Sequence, residues 1–517
     1  MCGILAVLGK IDKDTIQDIQ DSINDPVLSG RGPDDKQVIE LTNGLLVFYR
    51  LAIHDVQNGK QPFRTDRIIY MCNGEIYNHK ELAKEYGISC TTKSDCEIIG
   101  RLYERVGLVE TLSKLHGVFS LVIIEGDNVF FARDRIGIRP LYLGFAKDNL
   151  ALCSVPNPLV KFCHNVSYFS PGHYGVYNVK TGLDSIIIAE YSQLLKLPKL
   201  RIANPQLALY DALVNAVKNR LDSDRPICCL LSGGLDSSII TYILCTILKP
   251  KDVRTYSIGM EGSTDLKYAR KVAMYLGTTH TEVVFTPKQG FEVIPTVIKA
   301  LASYDITTVR ASVGMYLISK YIADHTSDKV VFSGEGSDEL FQGYLYFHNA
   351  PSPSEGEKES LRLLKNIHLY DVLRADRCIS TNGLEARVPF LDANVIKTGL
   401  SLSTYEKCPY NGYEKYTLRK AFEGKLPDEI IWRRKEGFSD GVSSVKKPWY
   451  AYIQDHVNIP DECFNSSKYP SKEAMYYRLI FEKLFPSYNL DIEYWMPKWS
   501  NSKDPSGRLI PVYDQED

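Results

Sequence analysis

"PICCLLSGGLDSS" (226–238) sets an apolar run against a glycine-rich turn, and "SSIITYILCTIL" (237–248) follows it at once. The first run reads as a buried strand and the second as a helix, so the turn joins a strand end to a helix start. Ser232, Gly233 and Gly234 let the backbone reverse sharply with its N–H groups inward, where an anion at the helix start would meet them. The loop is not a Walker A motif, because it lacks the Gly-Lys-Ser/Thr ending. Asp236 would repel a bare phosphate, so a pyrophosphate bridged by Mg²⁺ suits the loop better.

Working outward, "VRTYSIGM", "THTEVVF" and "KVVFSG" read as further strands, with "DLKYARKVAMYLG" a helix closed by Gly277. Strands alternating with helices imply a doubly wound parallel sheet covered on both faces. The loops after Ile258 and at "SGEGSDE" (333–339) should then join "SGGLDSS" at one crevice outside the strand C-termini. Glu335, Asp338 and Glu339 crowd carboxylates there, which suits a metal or an ammonium-bearing substrate; the bland alternative is an acidic, solvated turn. A helix with Leu207, Tyr210, Val214, Val217 and Leu221 on its apolar face precedes this unit. Residues 340 to 500 read as largely helical, and the tail after Trp499 is expected to fray.

The first 190 residues have another texture, with short β-type runs from "GILAVLG" to "GHYGVYNV" and one helical stretch between Lys93 and Leu115. "YSQLLKLPKLRIANP" (191–205) has two prolines and no clear period, and reads as a linker. The expected organisation is thus 2–190, a linker at 191–205, and 206–517. The opening "MCGILAVLG" puts its apolar residues first and its charges after, against a signal peptide. No run reaches about 18 uninterrupted apolar residues, so no membrane span is expected. The net charge of −2 argues against nucleic acid as a partner. Twelve cysteines without a C-x-x-C pair point to reduced thiols and a cytoplasmic setting.

Beside Cys2 stand "RGPDD" (31–35), "YRLAIHD" (49–55), "CNGEIYNH" (72–79) and "KSDCE" (93–97). Taken singly each is a turn or strand end, and "NGE" between apolar runs is a hairpin signal. Taken together they describe a nucleophile's pocket. With Met1 removed, Cys2 carries a thiol and a free amine of pKa about 7.7–8.0, able to act as its base. Asn73 and the Gly74 N–H can stabilise a tetrahedral oxyanion. Arg50 can hold an α-carboxylate in a two-pronged pair, while Glu75 and Asp95 take an α-ammonium.

This half resembles the class II glutamine amidotransferases, N-terminal-nucleophile hydrolases, and the resemblance implies an αββα sandwich. "SGGLDSS" resembles the ATP-pyrophosphatase loop. The combination resembles the glutamine-hydrolysing asparagine synthetases nearly end to end, through "RDRIGIRPLY" (133–142), "YDITTVRAS" (304–312), "SGEGSDELFQGYLYFH" (333–348), "LEARVPFLD" (384–392) and "RRKEGFSDGV" (433–442). It implies that Cys2 attacks glutamine to give a γ-glutamyl thioester and ammonia. Arg50, Leu51, Ala52, Ile53, His54, Asn73, Gly74, Glu75 and Asp95 would form the glutamine pocket. Leu231, Ile258, Ser333 and Gly334 would hold ATP, with Ser232, Gly233, Gly234, Asp236 and Ser237 on its pyrophosphate. Asp236 and Asp338 would bind Mg²⁺, and Lys435 would sit near the reacting phosphate. Thr307, Thr308, Arg310 and Glu335 would serve the β-aspartyl-AMP step. AMP, pyrophosphate, glutamate and asparagine would be the products, and a homodimer is common among such proteins.

Ammonium is no nucleophile, so ammonia would need a dry passage between the two units. The chain departs from the family at Gly30, where "GRGPD" replaces the usual "HRGPD", and at 153–162, "CSVPNPLVKF". The alternatives are a β-lactam synthetase-like amide former, which would lack a productive Cys2, and a silent regulatory homologue, which would have lost Cys2, Asp236 or Lys435.

Overall fold

The computed structural model describes residues 1–10, 13–444, 448–486, 488, 490–502 and 504–507. Near the N-terminus two antiparallel sheets stack. The first runs in the order His164–Tyr168, Tyr142–Ala146, Asn149–Cys153, Gly3–Leu8, Gly44–Arg50, Asp35–Leu41. The second runs Gly182–Glu190, His173–Asn178, Asn128–Arg133, Gly117–Glu125, Ile69–Ile76, Phe63–Arg64. Alternation along each strand assigns its two faces. Ile4, Ala6 and Leu8 pack with Met71, Val122 and Phe131 between the sheets. Leu5 and Val7 turn the other way, onto Val27, Leu28 and Leu159 of short helices. On the far side of the second sheet Tyr70, Cys72 and Leu121 meet Ile98, Ile99 and Leu102 of the helix Glu97–Val106. The layers are therefore αββα.

The third sheet is parallel, in the order Thr279–Val284, Arg254–Gly259, Ile227–Leu230, Val330–Phe332, Glu385–Arg387. Adjacent cysteines show how it is covered. Cys228 joins the cluster holding Val309 and Val313 of the helix Ile306–His325, whereas Cys229 joins that of Ile239, Ile243 and Val272. Both faces are buried, as the near-continuous apolar runs require.

Several local readings are corrected. "NGE" is no hairpin: Asn73 to Glu75 lie inside one unbroken strand paired with Gly117–Glu125. The stretch from Lys93 to Leu115 is two helices, Glu97–Val106 and Leu108–Lys114, divided where Gly107 takes φ 77°. The helix Pro205–Asn219 buries Leu209, Leu213, Ala216 and Val217, while Leu207 is 55 % exposed. Its inward stripe is rotated from the expected one because it packs between Tyr416–Ala421 and Ala393–Ser401. The tail does not fray at once, because Asp504 binds Arg310 and Ser506 donates to Asp440. The rest of the tail, 508–517, lies outside the described residues.

Candidate active sites

Cys2 precedes a wholly buried strand, and Asn73 faces it from the inner side of the second sheet. The Cys2 amide N–H donates to Asn73 Oδ1 at 2.7 Å, and Sγ lies 3.9 Å from the Leu51 carbonyl oxygen. Asn73 is fully buried and its Nδ2 has no partner among the described residues. A buried, unsatisfied donor costs about 1–3 kcal/mol, and here it is available to a developing oxyanion. Burial pushes the Cys2 thiol up, against the pull of the N-terminal ammonium beside it.

Glycine is required at two places in this pocket. A Cβ on Gly74 would come 2.2 Å from the Val118 carbonyl oxygen, and one on Gly32 2.3 Å from that of Tyr49. Arg50 is committed to its own loop: Nη1 donates to Val56 O, and Nη2 to His54 O and Asp55 O. It shapes the turn that follows Ile53, and only its remaining N–H capacity is left for a ligand. Asp95 accepts from the Ile76 N–H at 2.6 Å. Glu75 holds His54 Nε2 at 2.9 Å and Arg387 at 3.2 Å. Burial, then the carboxylates Glu385 and Asp95, push Glu75 up to about 7. Burial disfavours the charged His54 ring, but Glu75 overrides it and lifts His54 to about 10. The ring therefore takes the pair's first proton. Ligand atoms of His54, Glu75 and Asp95 lie within 4.8 Å of one another, but a ring kept protonated by Glu75 has no lone pair to offer a metal.

Arg31 ties this pocket to the third sheet's side of the molecule. Its Nε donates to the Cys2 carbonyl oxygen at 2.9 Å, while Nη1 reaches Asp376 and Ser380. Gly30 next to it has an ordinary φ of −60°. A Cβ there would stand 2.8 Å from the Thr381 carbonyl oxygen and 2.9 Å from that of Pro26. Crowding by the Thr381 carbonyl of the other unit and by the Pro26 carbonyl of its own helix, not backbone conformation, disfavours a larger residue at 30. Within 153–162, Ser154 Oγ accepts from the Ile4 N–H, and its carbonyl accepts from Arg377.

The second site is the crevice at the C-terminal ends of the parallel strands. Leu231, Ser232, Gly234, Asp236, Ser237, Ile258, Ser333, Gly334, Glu335, Asp338 and Lys435 all line it, as does Thr307. Gly233 turns the loop with φ 71°, and a Cβ on it would strike Tyr268 at 2.3 Å. Asp236 and Asp338 face one another across the Lys415 ammonium, 2.6 Å from Asp236 Oδ2 and 2.7 Å from Asp338 Oδ1. Lys435 holds the other Asp338 oxygen at 2.7 Å. Although burial works against its charge, Asp338 is held well below the usual carboxylate range by the two lysines. Two hard oxygen donors already gripping a cation suit Mg²⁺.

Sequence reasoning missed Lys415, which sits in the left-handed region at φ 56°, and Arg374, which pairs with Glu335 at 2.5 Å and Asp371 at 2.8 Å. The structure does not bring Thr308 or Arg310 into the crevice lining. Thr308 donates to Asp305, the cap of its own helix. Arg310 is buried between two carboxylates, paired twice with Glu473 and twice with Asp504.

Comparison with known proteins follows the same division. The sequence model of the Asparagine synthase family matches residues 208–362 and 352–501, and that of the Glutamine amidotransferase domain matches 1–181. Three full-length relatives carry the description "Asparagine synthetase [glutamine-hydrolyzing]". Those from Mus musculus, Homo sapiens and Gallus gallus are 44%, 43% and 42% identical, each over 99% of both chains.

Proposed function

The chain belongs to the glutamine-hydrolysing asparagine synthetases, and from that premise we propose how its two sites divide the reaction. The protein makes asparagine from aspartate and ATP with glutamine-derived ammonia, through β-aspartyl-AMP. The roles that follow are our reading of its residues. Residues 2–190 form the glutaminase, 191–205 the link, and 206–517 the synthetase.

After loss of Met1, the Cys2 amine takes the thiol proton as sulfur attacks the glutamine amide carbon. Asn73 Nδ2 and the Gly74 N–H receive the oxyanion, and the proton passes to the departing nitrogen, which leaves as NH₃. The segment from Arg50 to His54 walls the substrate, and Glu75 with Asp95 faces its α-ammonium. In the crevice, Ser232 to Ser237 cradle the pyrophosphate and Lys435 faces the reacting phosphate. Mg²⁺ bound by Asp236 and Asp338 would neutralise phosphate charge. Ser333 and Gly334 pass beside the nucleotide, with Leu231 and Ile258 flanking it. Thr307 and Glu335, the latter set by Arg374, face the aspartate, and Arg310 acts at a distance by anchoring Asp504. The family supports a cytoplasmic homodimer as the working form; no helix among the described residues is long and apolar enough to cross a membrane.

One observation carries this reading. The strand Glu385–Arg387 touches both sites: the Arg387 carbonyl accepts from the Ser333 N–H at 3.0 Å, and its guanidinium holds Glu75 at 3.2 Å. The test is product analysis with ATP, aspartate, glutamine and Mg²⁺. AMP and asparagine are expected; ADP, or ATP cleavage indifferent to aspartate, would sink the proposal.

A further inference from the structure

The edge strand also carries a carboxylate that the roles above leave unused. Glu385 is 1 % exposed, and its two oxygens are differently engaged. Oε1 accepts from Arg387 Nε at 2.9 Å. Oε2 accepts from the Met1 ammonium at 3.1 Å, with Arg139 Nη2 further off at 3.9 Å. A nitrogen bearing hydrogens thus already lies on Oε2, on the residue joined directly to the nucleophile. When Met1 is removed, that nitrogen goes and the acceptor stays.

We propose that Glu385 Oε2 is the first receiver of the ammonia released at Cys2, holding it by a hydrogen bond where the Met1 nitrogen lies. The inference rests on the two-site reading and on removal of Met1. The charge around the carboxylate decides which form it holds. Arg387 and Arg139 compensate Glu385, and Glu75, a carboxyl group that faces it, is itself held by His54 and Arg387. A compensated carboxylate accepts from neutral NH₃ without demanding that it become ammonium, so nucleophilicity survives. No proton moves to Glu385: the C–N bond of glutamine breaks, the thioester C–S bond forms, and the thiol proton leaves with the nitrogen. The wall beside Cys2 is thus charged and paired. Glu385 lies two residues before Arg387, whose carbonyl is bonded to the crevice residue Ser333, so ammonia held there is already on the synthetase side.

The readout is the ratio of glutamate to asparagine formed at saturating ATP, aspartate and glutamine. In Glu385→Gln an amide N–H₂ or an already committed oxygen replaces the free acceptor. The ratio should rise on the order of threefold to tenfold, the worth of one hydrogen bond, because ammonia escapes before use. Glu385→Asp keeps the charge but withdraws it by one carbon; it should give an intermediate ratio and carries the test if the glutamine variant does not fold. An unchanged ratio in the variants, with the parent processed and active, would overturn the role of Glu385 alone. A parent that uses glutamine while mass analysis finds Met1 retained would overturn both this role and the reading beneath it.

Discussion

The glutaminase pocket and the synthetase crevice hold their charges in opposite ways. Around Cys2 the polar groups are sealed: Arg50, Asn73, Glu75 and Asp95 are each no more than 4 % exposed, and the cation–anion pairs are complete. In the crevice Asp236, Asp338 and Lys435 keep 16 to 20 % of their side-chain surface open. On the proposed reading the pocket needs room for one small amide, then for the single water that releases glutamate from the thioester. On the proposed reading the crevice admits a nucleotide, and the Lys415 and Lys435 ammoniums hold its carboxylates together meanwhile. Preorganisation that lowers a barrier in the first would obstruct entry to the second.

The difference can be attacked from either side. Cys2→Ala should reduce glutamine-dependent synthesis to background while free ammonia still supports it, measured as asparagine from each nitrogen source; joint loss would refute two separable sites. Lys435→Ala should slow synthesis from both sources by about 10²–10³, the usual cost of one lost charge-stabilising donor, with glutamate production surviving in a glutaminase assay. The smallest effect concerns pH. Glu75 titrates near 7 and must be ionised to take an ammonium, so glutamine kcat/KM should fall on acidification through that value. His54⁺ favours the ionised carboxylate, so His54→Gln should move this limb to higher pH. The limb for free ammonia should not follow; if both shift alike, Glu75 is not where glutamine is read.

Much of this was legible because it is local. The strand, turn and helix at 226–248 announce themselves by apolar run, glycine pair and renewed apolar run, and the alternating order around them gave the parallel sheet. The glutaminase constellation was proposed as a set, since Cys2, Asn73 and Asp95 gain meaning only in combination, and the structure brings Cys2 and Asn73 together. What stayed hidden is long-range. Arg310 and its partner Asp504 stand 194 positions apart, and no spacing rule pairs them. Lys415 lies in the stretch read only as largely helical, and its role comes from a backbone turned to place it between two distant carboxylates. The strand Glu385–Arg387 has three residues, too few to show a period, although it joins the two sites.

Gly30 extends the argument to exchange between relatives. Its hydrogen leaves space for the Thr381 carbonyl on the other unit, so residue 30 is fitted to a stretch of backbone far along the chain. A first unit taken from a relative with histidine at that position would press its Cβ against the Thr381 carbonyl oxygen. Halves of this family are therefore not freely interchangeable parts, and a hybrid made here would have to keep glycine at 30 or shift the backbone at 381.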